Sequence, residues 1–238
     1  MVKYIRDTTG RFRMRPYYET SELDQECERI ITSFMREKCG GMALPISTDV
    51  ITKLIERDAK DLDLYADLST EGPDVEGVTD FYPGQKPRVR IAEKLSQDQY
   101  KYRLRTTLTH EYGHVKFHSP LWDQQLSSHP RLLQETSRTS PKCKRDGMLD
   151  APMSDWMEWQ AGYICGALLM PIGTLKHLVM EYVETHHLYC PINVDSLHAI
   201  GLRNKIATHF DVSHDAARVR LLKLRYVTND SVGPSLFG

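Results

Sequence analysis

His110-Glu111-Tyr112-Gly113-His114 is the segment that most narrows what this chain can become. Residues four apart lie on one face of a helix about one turn apart, so a helix brings both imidazoles to a common point. Neutral imidazole is a good zinc ligand. A glutamate next to the first histidine can take a proton from water held there. Chance gives the pattern in roughly a few per cent of chains this long, so the surroundings decide. Lys101 to His118 has no proline and a single glycine, and Leu104, Leu108 and Val115 recur at helical spacing. The spacing predicts a helix here, ended by Pro120. His118, one further turn on, is open to three readings: a third ligand, a partner behind the ligands, or a cation favoured by the helix C-terminus.

A histidine pair needs a third protein ligand and an open fourth position. The stretch from Asp155 to Pro171 offers Glu158. As a helix it sets Glu158, Ala161, Gly162 and Cys165 on one face, small enough for close approach to the histidine helix. Trp156, Trp159, Tyr163 and Leu168 supply bulk elsewhere. Glu158 reads equally as a solvated carboxylate at a helix start, favoured by the N-terminal dipole. Spacing alone leaves both readings open.

The chain has 238 residues, enough for a sizeable core, and a formal net charge of -1. That balance provides no field for nucleic acid or membrane surfaces. The Arg11-Phe12-Arg13-Met14-Arg15 run is expected to be a solvated arm. No apolar run reaches membrane length, and the N-terminus lacks a signal-peptide core. Five cysteines (Cys27, Cys39, Cys143, Cys165, Cys190) without a C-x-x-C pattern fit reduced thiols and a cytoplasmic location.

The expected fold is α+β: a mostly helical domain with a small antiparallel sheet or hairpin before the histidine helix, then a C-terminal helical subdomain. Its parts are an arm over residues 1–20, a metal-binding domain over 21–190, and a helical subdomain with a tail over 191–238. Ser21 and Asp24 suggest a cap for a helix whose face runs Leu23, Cys27, Ile30, Ile31, Phe34, Met35 and stops at Gly40-Gly41. A short helix follows from Asp49 to about Arg57. Leu62 to Tyr65 alternates as a strand, and Val78 to Tyr82 with Arg88 to Ile91 reads as a hairpin around Pro83-Gly84. Residues 119–154 lack periodicity and are long for a loop in a compact domain. Leu197 to His209 and His214 to about Leu224 pair as helices. They look superficially like a helix-turn-helix, yet Arg218, Arg220, Lys223 and Arg225 equally suit a solvated face, which argues against direct nucleic-acid binding.

The histidine motif with His118 behind it, then Glu158-Trp159-Gln160-Ala161 running into Leu168-Leu169-Met170-Pro171, resembles the ImmA/IrrE family of zinc metallopeptidases. Pro45-Ile46, Gly77-Val78-Thr79 before Pro87 to Ile91, and Phe210-Asp211-Val212-Ser213 before Ala216 and Arg218 to Leu221 extend the likeness over most of the chain. The resemblance implies a gluzincin-like centre with Glu158 as third zinc ligand beside His110 and His114. It also implies a helix-turn-helix transcriptional repressor of a mobile element or stress response as the protein substrate. Gly162 departs from the Asn or Asp common at that place in the family, removing a supporting hydrogen bond.

On this reading Zn2+ lowers the pKa of water toward about 7, and Glu111 takes its proton and returns it to the leaving amine. An oxyanion donor is also needed. Tyr163, Tyr112, His118 and His129 are the candidates. The strand from Arg88 to Ile91 either offers an edge to an extended substrate or completes the sheet. Cys143 in the 119–154 segment is either a thiolate that silences the metal or a quiet surface cysteine. The competing function is a zinc-bound module that sequesters a repressor without cutting it.

Overall fold

The computed structural model describes residues 3–82, 84–128, 142–144 and 155–230, with the backbone alone at 126–128 and 142–144. The chain is a mixed α+β protein, mainly helical with small sheets. β1 (Lys3–Arg6) and β2 (Met14–Tyr17) form an antiparallel hairpin. This hairpin is docked, contrary to the expected solvated arm. Phe12 between its strands is buried edge-on to Trp122 and Trp156, and Phe81 stacks on Trp122. One aromatic ring buries more than enough apolar area to hold down a basic segment whose charges stay at the rim.

α1 (Thr20–Cys39) buries the stripe read from its sequence. Its capping box is built from Glu19 and Glu22, two residues earlier than the expected Ser21 and Asp24, and Gly40 closes it at φ 77°. Asp24 is thereby free for a different task, described below. α2 (Thr48–Asp58) starts where Ser47 Oγ accepts the Val50 N–H at 3.2 Å.

β3 (Asp61–Ala66), β4 (Val75–Asp80) and β5 (Arg88–Ala92) join one sheet in the order β3-β5-β4, with β6 (Lys142–Lys144) beyond β4. The β4–β5 hairpin is antiparallel as expected, but β3 pairs with β5 in parallel, so the sheet is mixed. β5 is therefore interior. The expectation that Arg88 to Ile91 offers a free edge is corrected, because both its edges are taken. Val89 and Ile91 are fully buried in the main core, which makes an inner strand of the segment.

α3 (Lys101–Gly113) lies against this sheet and carries the motif. It does not stop at Pro120. His114–His118 form a π-helical turn, and α4 (Ser119–Ser128) continues from it. Pro120 is the second residue of α4, beside Ser119, whose Oγ donates to Val115 O at 2.5 Å in the preceding turn. α5 (Trp156–Leu169), α6 (Ile172–Thr185), α7 (Leu197–Phe210) and α8 (His214–Lys223) follow, with β7 (Ile192–Asn193) paired to β8 (Val227–Thr228). One buried cluster runs from Leu23 through Leu108 and Ile164 to Val227, so the last helices share a core with α3. Arg105 of α3 ties the parts together, donating to Ile46 O at 2.6 Å and Phe210 O at 3.3 Å. Arg220, counted in a basic face, is buried in that core. No single helix among the described residues is long and apolar enough to cross a membrane.

Candidate metal centre

The α3–α5 contact sets the site. A Cβ built on Gly113 would lie 3.2 Å from Ala161 Cα, so glycine here lets the helices touch. One turn along each helix, Thr109 Oγ1 donates to Cys165 Sγ at 3.2 Å. This close approach delivers Glu158 to the two histidines. Glu158 Oε2 is 3.0 Å from His110 Nε2, Glu158 Oε1 is 3.3 Å from His114 Nε2, and the two Nε2 atoms are 3.2 Å apart. Donors about 2.1 Å from one tetrahedral ion stand roughly 3.3 Å from each other. The three side chains thus already have the spacing of ligands that share an ion, and the group could hold a metal. His110 and His114 are fully buried, whereas the Glu158 side chain is 18% exposed, so the open side lies at the carboxylate.

Glu111, within electrostatic reach of His114 and His110, packs against a strand. Its Oε2 accepts from Thr79 Oγ1 at 2.5 Å, while Oε1 is buried and has no hydrogen-bond partner. Gly77 of β4 makes room for it: a Cβ there would fall 2.5 Å from Glu111 Oε1 and 2.8 Å from Thr107 Cγ2. An isolated glycine in a strand is a sign of such close approach. The contacts that Thr79 and Gly77 make with Glu111 escaped the sequence reading, although that glycine signal was present.

Electrostatics fit a cation at the centre. Burial raises the Glu111 carboxyl above the ordinary range, against the pull of His114 and His110. Burial also works against the Glu158 charge, but the two imidazoles outweigh it and hold that carboxyl well below the usual value. For His114, burial acts downward and the carboxylates of Glu158, Glu111 and Asp155 together more than reverse it, so its pKa is raised. One fully buried and one partly buried carboxylate thus lie together, and among the described residues no lysine or arginine pairs with either. Their charge is balanced by a proton on Glu111 itself, by a proton on imidazole or by a metal, and the last two compete for the same atoms. The orphaned Oε1 of Glu111, the donor spacing and the His-His-Glu donor set all fit zinc.

His118 lies behind the ligands. Its Nδ1 is 2.9 Å from His114 Nδ1 and its Nε2 is 3.1 Å from Gln160 Oε1. Burial pushes its pKa down to about 3, with His114 adding to the effect. Its ring nitrogens face His114 and Gln160, so it is neither a third ligand nor an oxyanion donor. Two other oxyanion candidates are also committed elsewhere. Tyr163 Oη donates to Asp24 Oδ2 at 2.8 Å, and Tyr112 Oη donates to Asp58 Oδ2 at 2.8 Å. Each hydroxyl meets a carboxylate on a neighbouring helix, the buried Asp24 of α1 or the partly exposed Asp58 of α2, a pairing that helical spacing within α3 or α5 could not reveal. His129 lies outside the described residues. Cys143 lies in β6, whose backbone pairs antiparallel with β4 at Gly77↔Cys143, and its side chain is outside the description. The other four cysteines are unpaired, with Cys27 and Cys165 buried and Cys39 and Cys190 exposed.

No family model matches the chain, and no curated protein matches it.

Proposed function

We propose that this chain is a zinc-dependent endopeptidase of the ImmA/IrrE kind that cuts a protein substrate, a helix-turn-helix repressor. The observation that carries the reading is the unpartnered Glu111 Oε1, buried beside three donors at metal-sharing distances. His110, His114 and Glu158 hold the zinc. When bound, the ion polarises the scissile carbonyl and lowers the pKa of water at the site. Glu111 takes the proton of the attacking water at Oε1 and passes it to the leaving amine. Thr79 fixes Oε2, so the proton is handled at one oxygen only. The raised pKa of Glu111 suits a group that must both accept and return a proton.

Glu111→Gln tests this reading, because the amide keeps the shape and cannot take the proton. The zinc-loaded variant is expected to keep its metal and its hold on a repressor substrate. It should cut at least about a thousandfold more slowly than wild type. Cleavage of the repressor, followed by mass spectrometry, is the measurement. A variant as fast as wild type removes Glu111 from the chemistry. A wild-type chain that binds the repressor and leaves it whole makes the protein a sequestering module instead.

A further inference from the structure

The two nitrogens of an imidazole are not equivalent. A histidine ligates through the nitrogen that carries no proton, and the proton on the other nitrogen is fixed by what accepts it. His114 offers Nε2 to the donor group, so it must be protonated at Nδ1. Among the described residues, Nδ1 meets His118 Nδ1, at 2.9 Å. That contact can run in two directions. If His118 Nδ1 carries the proton, His114 is left protonated at Nε2 and cannot ligate. If His118 Nδ1 is bare, His114 Nδ1–H donates to it and Nε2 is free.

The choice falls to the far side of His118. Its Nε2 is 3.1 Å from Gln160 Oε1, an oxygen that can only accept. The proton of His118 therefore sits on Nε2, and its Nδ1 is an acceptor. His118 is fully buried and Gln160 is 2% exposed, so bulk water does not compete for either group. The Trp156 ring meets the His118 ring edge-on at 5.5 Å and closes one side. His114–His118 form the π-helical turn, a local widening that often marks functional sites.

We propose that Gln160, acting through His118, fixes His114 in the tautomer that can bind the metal, and that both are positioning residues for the centre. The chain of donors runs from His118 Nε2–H to Gln160 Oε1 and from His114 Nδ1–H to His118 Nδ1. No proton is gained or lost along it. Gln160 stands two residues from Glu158, about 200° around the helix. One helix thus supplies a ligand from one side and the tautomer lock from another. The inference rests on the metal centre and not on the cleavage chemistry.

Zinc affinity, measured by competition with a chromogenic chelator, tests it without any substrate. Gln160→Leu removes the acceptor and should weaken zinc binding by about tenfold to a hundredfold. Gln160→Glu still accepts from His118 Nε2–H and should hold zinc within about threefold of wild type, or more tightly. Urea unfolding of the metal-free variants separates this effect from loss of fold. Long-range proton–nitrogen spectra of the zinc-loaded wild type should show His118 protonated at Nε2 and His114 at Nδ1. Equal zinc affinity in wild type and Gln160→Leu, equal losses in the Leu and Glu variants, or a proton on His118 Nδ1 each overturn the proposal. A wild-type chain that binds no zinc overturns the metal centre and this inference with it. Failure to cut a repressor is a separate result, because none of these measurements needs cleavage.

Discussion

α5 borders two buried polar clusters that solve the same problem in opposite ways. On one side of it, Asp24 of α1 takes an ion pair from Arg220 Nη2 at 2.5 Å and a hydrogen bond from Tyr163. Burial pushes the Tyr163 phenol up to about 12 against the pull of Arg220, so it stays a donor to the carboxylate. This cluster contains its own cation, so its charges balance, although Arg220 Nε and Nη1 are buried without a hydrogen-bond partner among the described residues. Near the first turns of α5, the buried Glu111 and the partly buried Glu158 lie with three buried histidines and with no arginine or lysine paired to either carboxylate among the described residues. A buried charge is tolerated only when paired. The first cluster is a strut between helices, while the second is complete only when something positive enters. The difference separates a buried polar group that holds a fold together from one that awaits a ligand.

The largest expected effects test that contrast directly. Asp24→Ala strands the Arg220 guanidinium in the core and should destabilise the protein by about 3–5 kcal/mol, read by urea unfolding. Zinc affinity should stay within about twofold of wild type. Glu158→Ala is the reciprocal change. It removes one of three protein ligands and should weaken zinc binding by at least about a hundredfold, read by elemental analysis after dialysis. Loss of zinc in Asp24→Ala would show that strut and metal centre are one coupled unit. Full zinc occupancy in Glu158→Ala would remove Glu158 from the ligand set.

Much of this contrast was legible in the sequence, and the illegible part has a common cause. His110 and His114 follow from helical spacing within one element, as do the buried stripe of α1 and the small face of α5 at Ala161 and Cys165. Glu158 was one of two open readings, because its place depends on how α5 sits on α3. What escaped depends on contacts between segments far apart in sequence. Tyr163 looked available as an oxyanion donor until Asp24, far upstream in α1, took its hydroxyl. Arg220 looked like a surface cation until the same carboxylate drew it inside. Asp24 in turn read as part of a helix cap, a role that Glu19 and Glu22 fill. Pro120 read as a stop because sequence patterns carry no signal for the π turn that lets a new helix begin there.

Gly77 sharpens the comparison at the metal side, because it acts on Glu111 without touching a ligand. Gly77→Ala would put a methyl group 2.5 Å from Glu111 Oε1, inside any real contact distance, and Thr107 blocks retreat on the other side. The carboxylate must shift. A displacement of about 1 Å in a catalytic group costs on the order of a hundredfold in rate. Gly77→Ala should therefore cut a repressor about tenfold to a hundredfold more slowly while its zinc content stays that of wild type. Loss of zinc as well would mean that β4 supports the ligands and not only the base.

The smallest effect belongs to a third polar tie, wetter than either cluster, which lies between them in character. Asp58 at the end of α2 accepts from Tyr112 Oη at 2.8 Å and pairs with Arg57 at 2.9 Å and Lys116 at 3.4 Å, with a fifth of its side chain exposed. Burial acts to raise its carboxyl, but Arg57, Tyr112 and Lys116 overcome that and bring its pKa down to about 2, from an ordinary 3.8. The folded state thus binds this proton less readily than the unfolded chain. The pair's contribution is present in full above the unfolded value and is lost as pH falls from about 4 to about 2. Partial exposure screens the interaction, so Asp58→Asn should cost about 1–2 kcal/mol at about pH 7. Urea unfolding of the metal-free proteins across this range should show the gap between wild type and variant closing toward acid. A gap that stays constant down to about pH 2 would mean that Asp58 holds α2 to α3 through shape and hydrogen bonding alone, with its charge playing no part.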